Sequence, residues 1–131
     1  ADHFALVVPS LPDDFWLHYQ LGRALHQAGH TDAALHRYQQ ALAIDRRAEV
    51  LVAIGALHLL AQSSDEAGDH FRQALELDPH NPEAHVNLAL LDLEDGRPQA
   101  AVDRLQQVLA RGDVAMARRL LVEARRRMGR Q

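Results

Sequence analysis

The stretch from Phe71 to Leu91, FRQALELDPHNPEAHVNLALL, shows the pattern that organises the chain. Apolar positions recur every three or four residues, stop at Asp78-Pro79, and resume with the same rhythm after Asn81-Pro82. Such spacing puts an apolar stripe along a helix, so it predicts a helix on each side of the break. Laid over itself, the chain repeats. Gly22, Gly55 and Ala89 share one phase, at offsets of 33 and 34 residues. Twelve residues further on stand Ala34, Ala67 and Ala101, followed in phase by Tyr38, Phe71 and Leu105 and then by Ala41, Ala74 and Val108. A period of this length implies stacked units, none of which buries its apolar face alone.

Each unit reads as two helices. In the first, DDFWLHYQLGRALHQAG ends at Gly29, a left-handed stop, and HTDAALHRYQQALAI follows with Thr31 as expected N-cap. In the second, EVLVAIGALHLLAQ precedes DEAGDHFRQALEL, with Ser64 as expected cap. The third opens with Asn81 as cap and Pro82 in the first turn, then turns at Gly96-Arg97-Pro98 into QAAVDRLQQVLA. The alanines suit places where helices cross closely, while Tyr38, Phe71 and Leu105 fill the wider gaps beside them. After Gly112, Ala117, Leu120, Leu121, Ala124 and Met128 share one helical face and arginines take the other. That is the pattern of a helix capping the end of a stack. The expected organisation is an apolar segment or linker at 1–12, units at 15–47, 48–81 and 82–112, and a capping helix with a basic tail at 113–131.

These residues resemble the tetratricopeptide repeat family over about residues 15–114. Gly55, Ala67, Phe71, Ala74 and Pro79 stand in their expected places, as do Leu21, Gly22, Ala34, Tyr38 and Ala41 in the first unit. The third unit keeps Leu88, Ala89 and Ala101, but has Asp92 where an aromatic is usual and Val108 where alanine is usual. The resemblance implies an all-α fold: a right-handed solenoid of three helix-turn-helix repeats with a C-terminal capping helix. Its first helices would line a concave groove that holds a peptide, a helix or another subunit.

Carrying the family's groove positions onto this chain nominates Tyr19, Arg23, Val52, Ala56, Leu59, Leu60, Val86, Asn87, Leu90 and Leu93 as the partner-binding groove. The middle of that set is apolar, which suits an amphipathic helix or apolar peptide. Burial of four aliphatic side chains would contribute roughly 6–12 kcal/mol before association costs. Co-chaperone repeats that grip acidic C-termini carry a clamp of lysine, asparagine and arginine. The matching positions here are Tyr19, Arg23, Ala53, Val86 and Leu90, of which Arg23 alone is basic, so that subtype is not expected.

Charge narrows the partner. Residues 1–110 carry 7 arginines against 16 acids, whereas residues 111–131 carry 7 arginines against 2 acids, and lysine is absent. An acidic body argues against nucleic acid, and the basic end reads as a solvated face. No apolar run is long enough to span a membrane. Cysteine is absent, so no thiolate chemistry is available. Nine histidines lack a metal-ligand spacing, with His58 and His85 placed to approach each other across adjacent units. Asp92, Glu94 and Asp95 read as a solvated helix end. Neither metal, cofactor nor catalytic group is expected within these residues. The expected function is a protein-interaction scaffold holding a protein or peptide. The alternatives are a regulatory or substrate-presenting domain of a larger transferase or hydroxylase, or a self-assembly module, and self-association stays open. A cytoplasmic location is the working expectation, with the periplasm and a longer parent chain left open.

Overall fold

A computed structural model describes residues 13–129. The segment 1–12, read above as an apolar segment or linker, lies outside the described residues, as do 130 and 131. Seven helices follow one another: α1 Asp13–Gln27, α2 Thr31–Ile44, α3 Ala48–Leu60, α4 Ser64–Leu77, α5 Pro82–Glu94, α6 Pro98–Arg111 and α7 Ala115–Met128. No strand occurs among the described residues. Packing is mainly between sequence neighbours, with α1 also reaching α3 and α5 reaching α7. The result is an all-α solenoid, as the repeat predicted.

The turn inside each unit has one design. At the first, Gly29 takes φ +86°, His30 N–H donates to the Leu25 carbonyl (2.9 Å) and Gly29 N–H to that of His26 (3.0 Å). Gln62 and Gly96 repeat this geometry at φ 60° and +74°, with Ser63 donating to His58 (2.8 Å) and Arg97 to Asp92 (2.8 Å). This pairing satisfies the carbonyls left over at a helix end. Gln62 is the one side chain among the described residues held in the left-handed region, where L-residues are disfavoured.

Helix starts were less legible. Asn81 caps α5 as expected, its Oδ1 accepting from the Ala84 N–H at 2.9 Å with Pro82 in the first turn. Thr31 and Ser64 instead lie inside their helices, and His30 and Ser63 precede them without side-chain capping bonds. A hydroxyl one residue inside the helix is past the place from which it can reach back to the first free N–H groups.

The interior runs as three successive apolar clusters. Ala34, Ala67 and Ala101 are each fully buried, as are Phe71 and Leu105, and Tyr38 is 1% exposed. Gly22 and Gly55 lie so close to the second helix that an added Cβ would sit 2.6 Å from Tyr38 Cε1 and 2.5 Å from Phe71 Cε1. The third unit solves the same contact with Ala89 and the narrower Leu105, both in one cluster. Asp92 departs from its reading as a solvated residue. It is 6% exposed, and its carboxylate receives Arg104 Nε at 3.1 Å and lies 3.6 Å from Arg97 Nη2. An ion pair therefore bridges α5 and α6 where an aromatic is usual. Glu94 and Asp95 are exposed.

Candidate functional site

The stacked first helices enclose an open hollow of about 840 Å³. Its apolar floor comes from α3 and α5, through Val52, Ala53, Ala56, Leu60 and Val86. These residues reach it for a helical reason: Val52, Ala56 and Leu60 lie one turn apart on one side of α3. The opposite side of α3, with Val50, Ile54 and Leu57, is committed to the core. Leu60 is left 64% exposed, a large aliphatic side chain with no interior duty.

The polar part is contributed by α1. Tyr19 and Arg23 stand one turn apart, with the Arg23 guanidinium 5.9 Å from the centroid of the Tyr19 ring. Tyr38 lies behind, its ring 6.0 Å from that of Tyr19. Burial pushes the Tyr19 phenol above its ordinary range; Arg23 opposes this and Glu49 and Glu83 reinforce it. Burial likewise raises Tyr38, helped by Tyr19 and opposed by Arg23. Both phenols therefore stay neutral donors at physiological pH. Glu49 is already paired with Arg47, whose guanidinium also lies over Phe15 and Trp16 at 6.0 and 5.8 Å. Asn87, half-buried in the wall, offers amide donors and an acceptor.

Of the ten residues nominated from sequence, Tyr19, Arg23, Val52, Ala56, Leu60, Val86 and Asn87 line this hollow. Leu59, Leu90 and Leu93 do not. Leu59 packs against the cluster of Ala67, Phe71 and Leu88. Leu93 is 4% exposed and belongs to the cluster that α6 and α7 close with Leu105 and Ala117. Leu90 is half-buried and stands apart from the wall. Conversely, Val114 and Met116 close the far side, and neither was nominated. Their signal was available: extending the repeat by 33 residues from Glu83 lands on Met116, which makes α7 the first helix of a further unit. The capping helix thus supplies one wall of the hollow.

The histidines make stacking and hydrogen-bond contacts. His58 stacks on His70, ring centroids 5.0 Å apart, rather than approaching His85. The His85 Nε2–H donates to the Pro79 carbonyl at 2.9 Å, and its Nδ1 lies 3.4 Å from Arg104 Nη1. Among the described residues no three His, Asp or Glu side chains converge as metal ligands would. No described helix is long and apolar enough to cross a membrane.

Comparison with known proteins adds relatives to this geometry. Two family models, each described as a tetratricopeptide repeat, match residues 19–82 and 58–123. Photosystem I assembly protein Ycf3 of Synechococcus elongatus is 32% identical over 97 residues, which cover 70% of this chain and 56% of that protein. The chain thus spans little more than half the length of the curated relatives it matches. Among solved structures, the Sgt2 repeat domain from Aspergillus fumigatus superposes with a TM-score of 0.80 at 18% identity, covering 92% of this chain and 82% of that one. The first repeat domain of Spaghetti (RPAP3), bound to the HSP90 peptide SRMEEVD, also gives 0.80 at 13% identity, covering 88% and 94%. At such identities these likenesses speak for the fold.

Proposed function

Because the chain belongs to the tetratricopeptide repeat family, we propose that it is a protein-interaction module whose hollow holds an apolar or amphipathic segment of a partner protein. The observation that carries this reading is the unclaimed apolar floor. Leu60 on the floor and Met116 on the far side remain 64% and 49% exposed, beside buried Val52 and Val86. Exposed aliphatic surface gathered in a concavity has its best use in contact with another apolar surface. Neutral Tyr19 and Asn87 supply hydrogen bonds that fix the direction of the bound segment.

The wall chemistry also selects. An acidic terminus of the kind carried by the HSP90 peptide in the Spaghetti complex would meet Arg23 alone among arginines, and Glu49 and Glu83 beside it. The reading therefore favours an uncharged or weakly basic apolar segment over an acidic tail. An assembly protein among the relatives fits a module that holds a subunit during a larger construction. Nucleic acid is a poor fit to the acidic body, and we assign no catalytic role to residues 13–129.

The test is a displayed peptide library panned against the chain, with affinities of selected peptides measured by calorimetry. Apolar sequences of about micromolar affinity are expected, and Leu60→Asp should weaken them at least tenfold with helicity retained. Selected peptides that bind Leu60→Asp and Val52→Asp as tightly as the original chain would falsify the assignment of the hollow.

A further inference from the structure

A second, smaller cavity of about 150 Å³ opens beside the hollow, and Pro82 and Val114 line both. It lies where α6 ends and α7 begins against the start of α5, with Val108 in its wall. Its charged and polar groups are His80, His85, Gln107 and Arg111, and no acid lines it. His85 is engaged with the Pro79 carbonyl and with Arg104. Arg111 Nη2–H donates to His80 Nε2 at 2.8 Å, so two basic side chains hold each other where a carboxylate would suit both. Asp113, beside Gly112, is paired with Arg118 at 2.7 Å and is not part of the wall.

The same junction one unit earlier is balanced. There Arg46 and Arg47 share the wall with Glu49 and Asp78. Arg46 donates to Gln73 Oε1 at 2.6 Å, and Arg47 pairs with Glu49. In register with that wall, His80 stands for Arg46, Gln107 for Gln73, Arg111 for Leu77 and Gly112 for Asp78. The later junction thus gains a guanidinium where the earlier one has an aliphatic side chain, and loses the acid next to it. Among the described residues no carboxylate lies within ion-pair reach of Arg111.

We propose that this side pocket takes one carboxylate of the partner segment, an Asp or Glu lying directly beyond its apolar run. The proposal rests on the reading of the hollow as that segment's seat. Glu49 and Glu83 line the hollow and repel a carboxylate there, whereas neither lines the side pocket. A segment that passes the shared edge at Pro82 and Val114 therefore meets walls of the opposite charge, and complementarity places its acid outside the hollow. The cavity equals roughly five waters by their share of the liquid, which admits a carboxylate with its stem. Arg111 has further N–H groups to offer, in the fork that matches a carboxylate, and the Gln107 amide adds a donor. These are not the positions of the co-chaperone clamp, which fall on Tyr19, Arg23, Ala53, Val86 and Leu90. Arg111 and Gln107 are exposed, so the contact sets the direction of the segment more than its affinity.

Peptides panned from a displayed library on the unaltered chain are the probe, and each is measured by calorimetry against that chain, Leu60→Asp and Arg111→Gln. The expected peptides carry Asp or Glu at one end of an apolar run. Replacing that acid by its amide, or Arg111 by Gln, should each weaken binding about fivefold. The two changes together should weaken it no more than either alone, since they remove one contact. Arg111→Glu should recover the loss with a peptide bearing Lys in place of the acid. Peptides that respond to Leu60→Asp yet lack a flanking acid, or bind Arg111→Gln unchanged, would overturn the side pocket and leave the hollow standing. Peptides indifferent to Leu60→Asp would overturn the reading of the hollow and this proposal together.

Discussion

At one end of the stack α7 places Arg118 and Arg125 where a further helix would pack; at the other, α1 places Leu17 where a preceding helix would pack. Both are first helices of the same repeat, at the same phase. The difference lies in which face each leaves unmatched. α7 has its inward face filled, with Ala117 and Ala124 fully buried, and outward it shows Arg118 and Arg125 on either side of Val122, which is 58% exposed. α1 has its own second helix against it, with Gly22 in contact reach of Tyr38, and an apolar face left over. A repeat array is stabilised through neighbouring interfaces. A terminal helix is therefore complete only when the face it leaves unmatched is one that water tolerates. By that standard, among the described residues, α1 leaves the more apolar face of the two unmatched.

The largest effect should separate these two helices at equivalent positions. Ala117→Asp places a carboxylate at a fully buried site between α7 and α6 and should cost about 3 kcal/mol or more. Leu17→Asp, at the same phase of α1, should cost about 1 kcal/mol or less. Urea denaturation of both variants measures the gap, and equal losses would erase the distinction between the ends.

Next in size is the contact between the helices of one unit. Gly55→Ala drives a methyl into the Phe71 ring and should cost about 1–3 kcal/mol. Adding Phe71→Leu recreates the pairing of Ala89 with Leu105 that the third unit uses. The double variant should therefore be more stable than the sum of its single losses, by at least about 0.5 kcal/mol. Strict additivity would show that the units do not share this packing rule.

A smaller gain is expected at the middle turn. Gln62 holds φ 60° where its two counterparts are glycine. Gln62→Gly should raise stability by about 1 kcal/mol, whereas Gly96→Ala should lower it by a similar amount. Chemical denaturation of the pair checks both signs.

The smallest effect concerns Tyr19 and Tyr38. Both phenols are raised by burial, so the folded chain holds their protons more tightly than the unfolded chain. Their contribution is complete below the unfolded value near 10 and is lost as pH rises through the higher folded values. Denaturation midpoints between pH 9 and 11 should fall with pH. Tyr19→Phe should flatten part of that slope, and Arg23→Gln should deepen the fall and extend it to higher pH without moving its onset.

Much of the site was legible because groove positions follow helical spacing from a known start. Val52, Ala56 and Leu60 are separated by four residues, and that interval alone puts them on one side of α3. Leu93 was not legible in this way. Its spacing resembles theirs, yet α6 and α7 close over it, and its carbonyl accepts Arg127 Nη1–H at 3.0 Å. Asp92 was misread for a related reason. Charge suggests solvent when a residue is considered alone, whereas Arg104, twelve residues away, makes burial affordable.

The sequence by itself determined the helices, their period and the interior alanines, because local spacing fixes which face of a helix is apolar and recurrence fixes that neighbours share it. Only the tertiary structure decided which apolar residues stay uncovered. Leu17 is 54% exposed and Ala117 is fully buried at the same phase, as are Leu60 at 64% and Leu93 at 4% on neighbouring groove positions. Burial depends on what lies across from a side chain, and in a stack that is set by its place in the order of units rather than by the residue or its spacing.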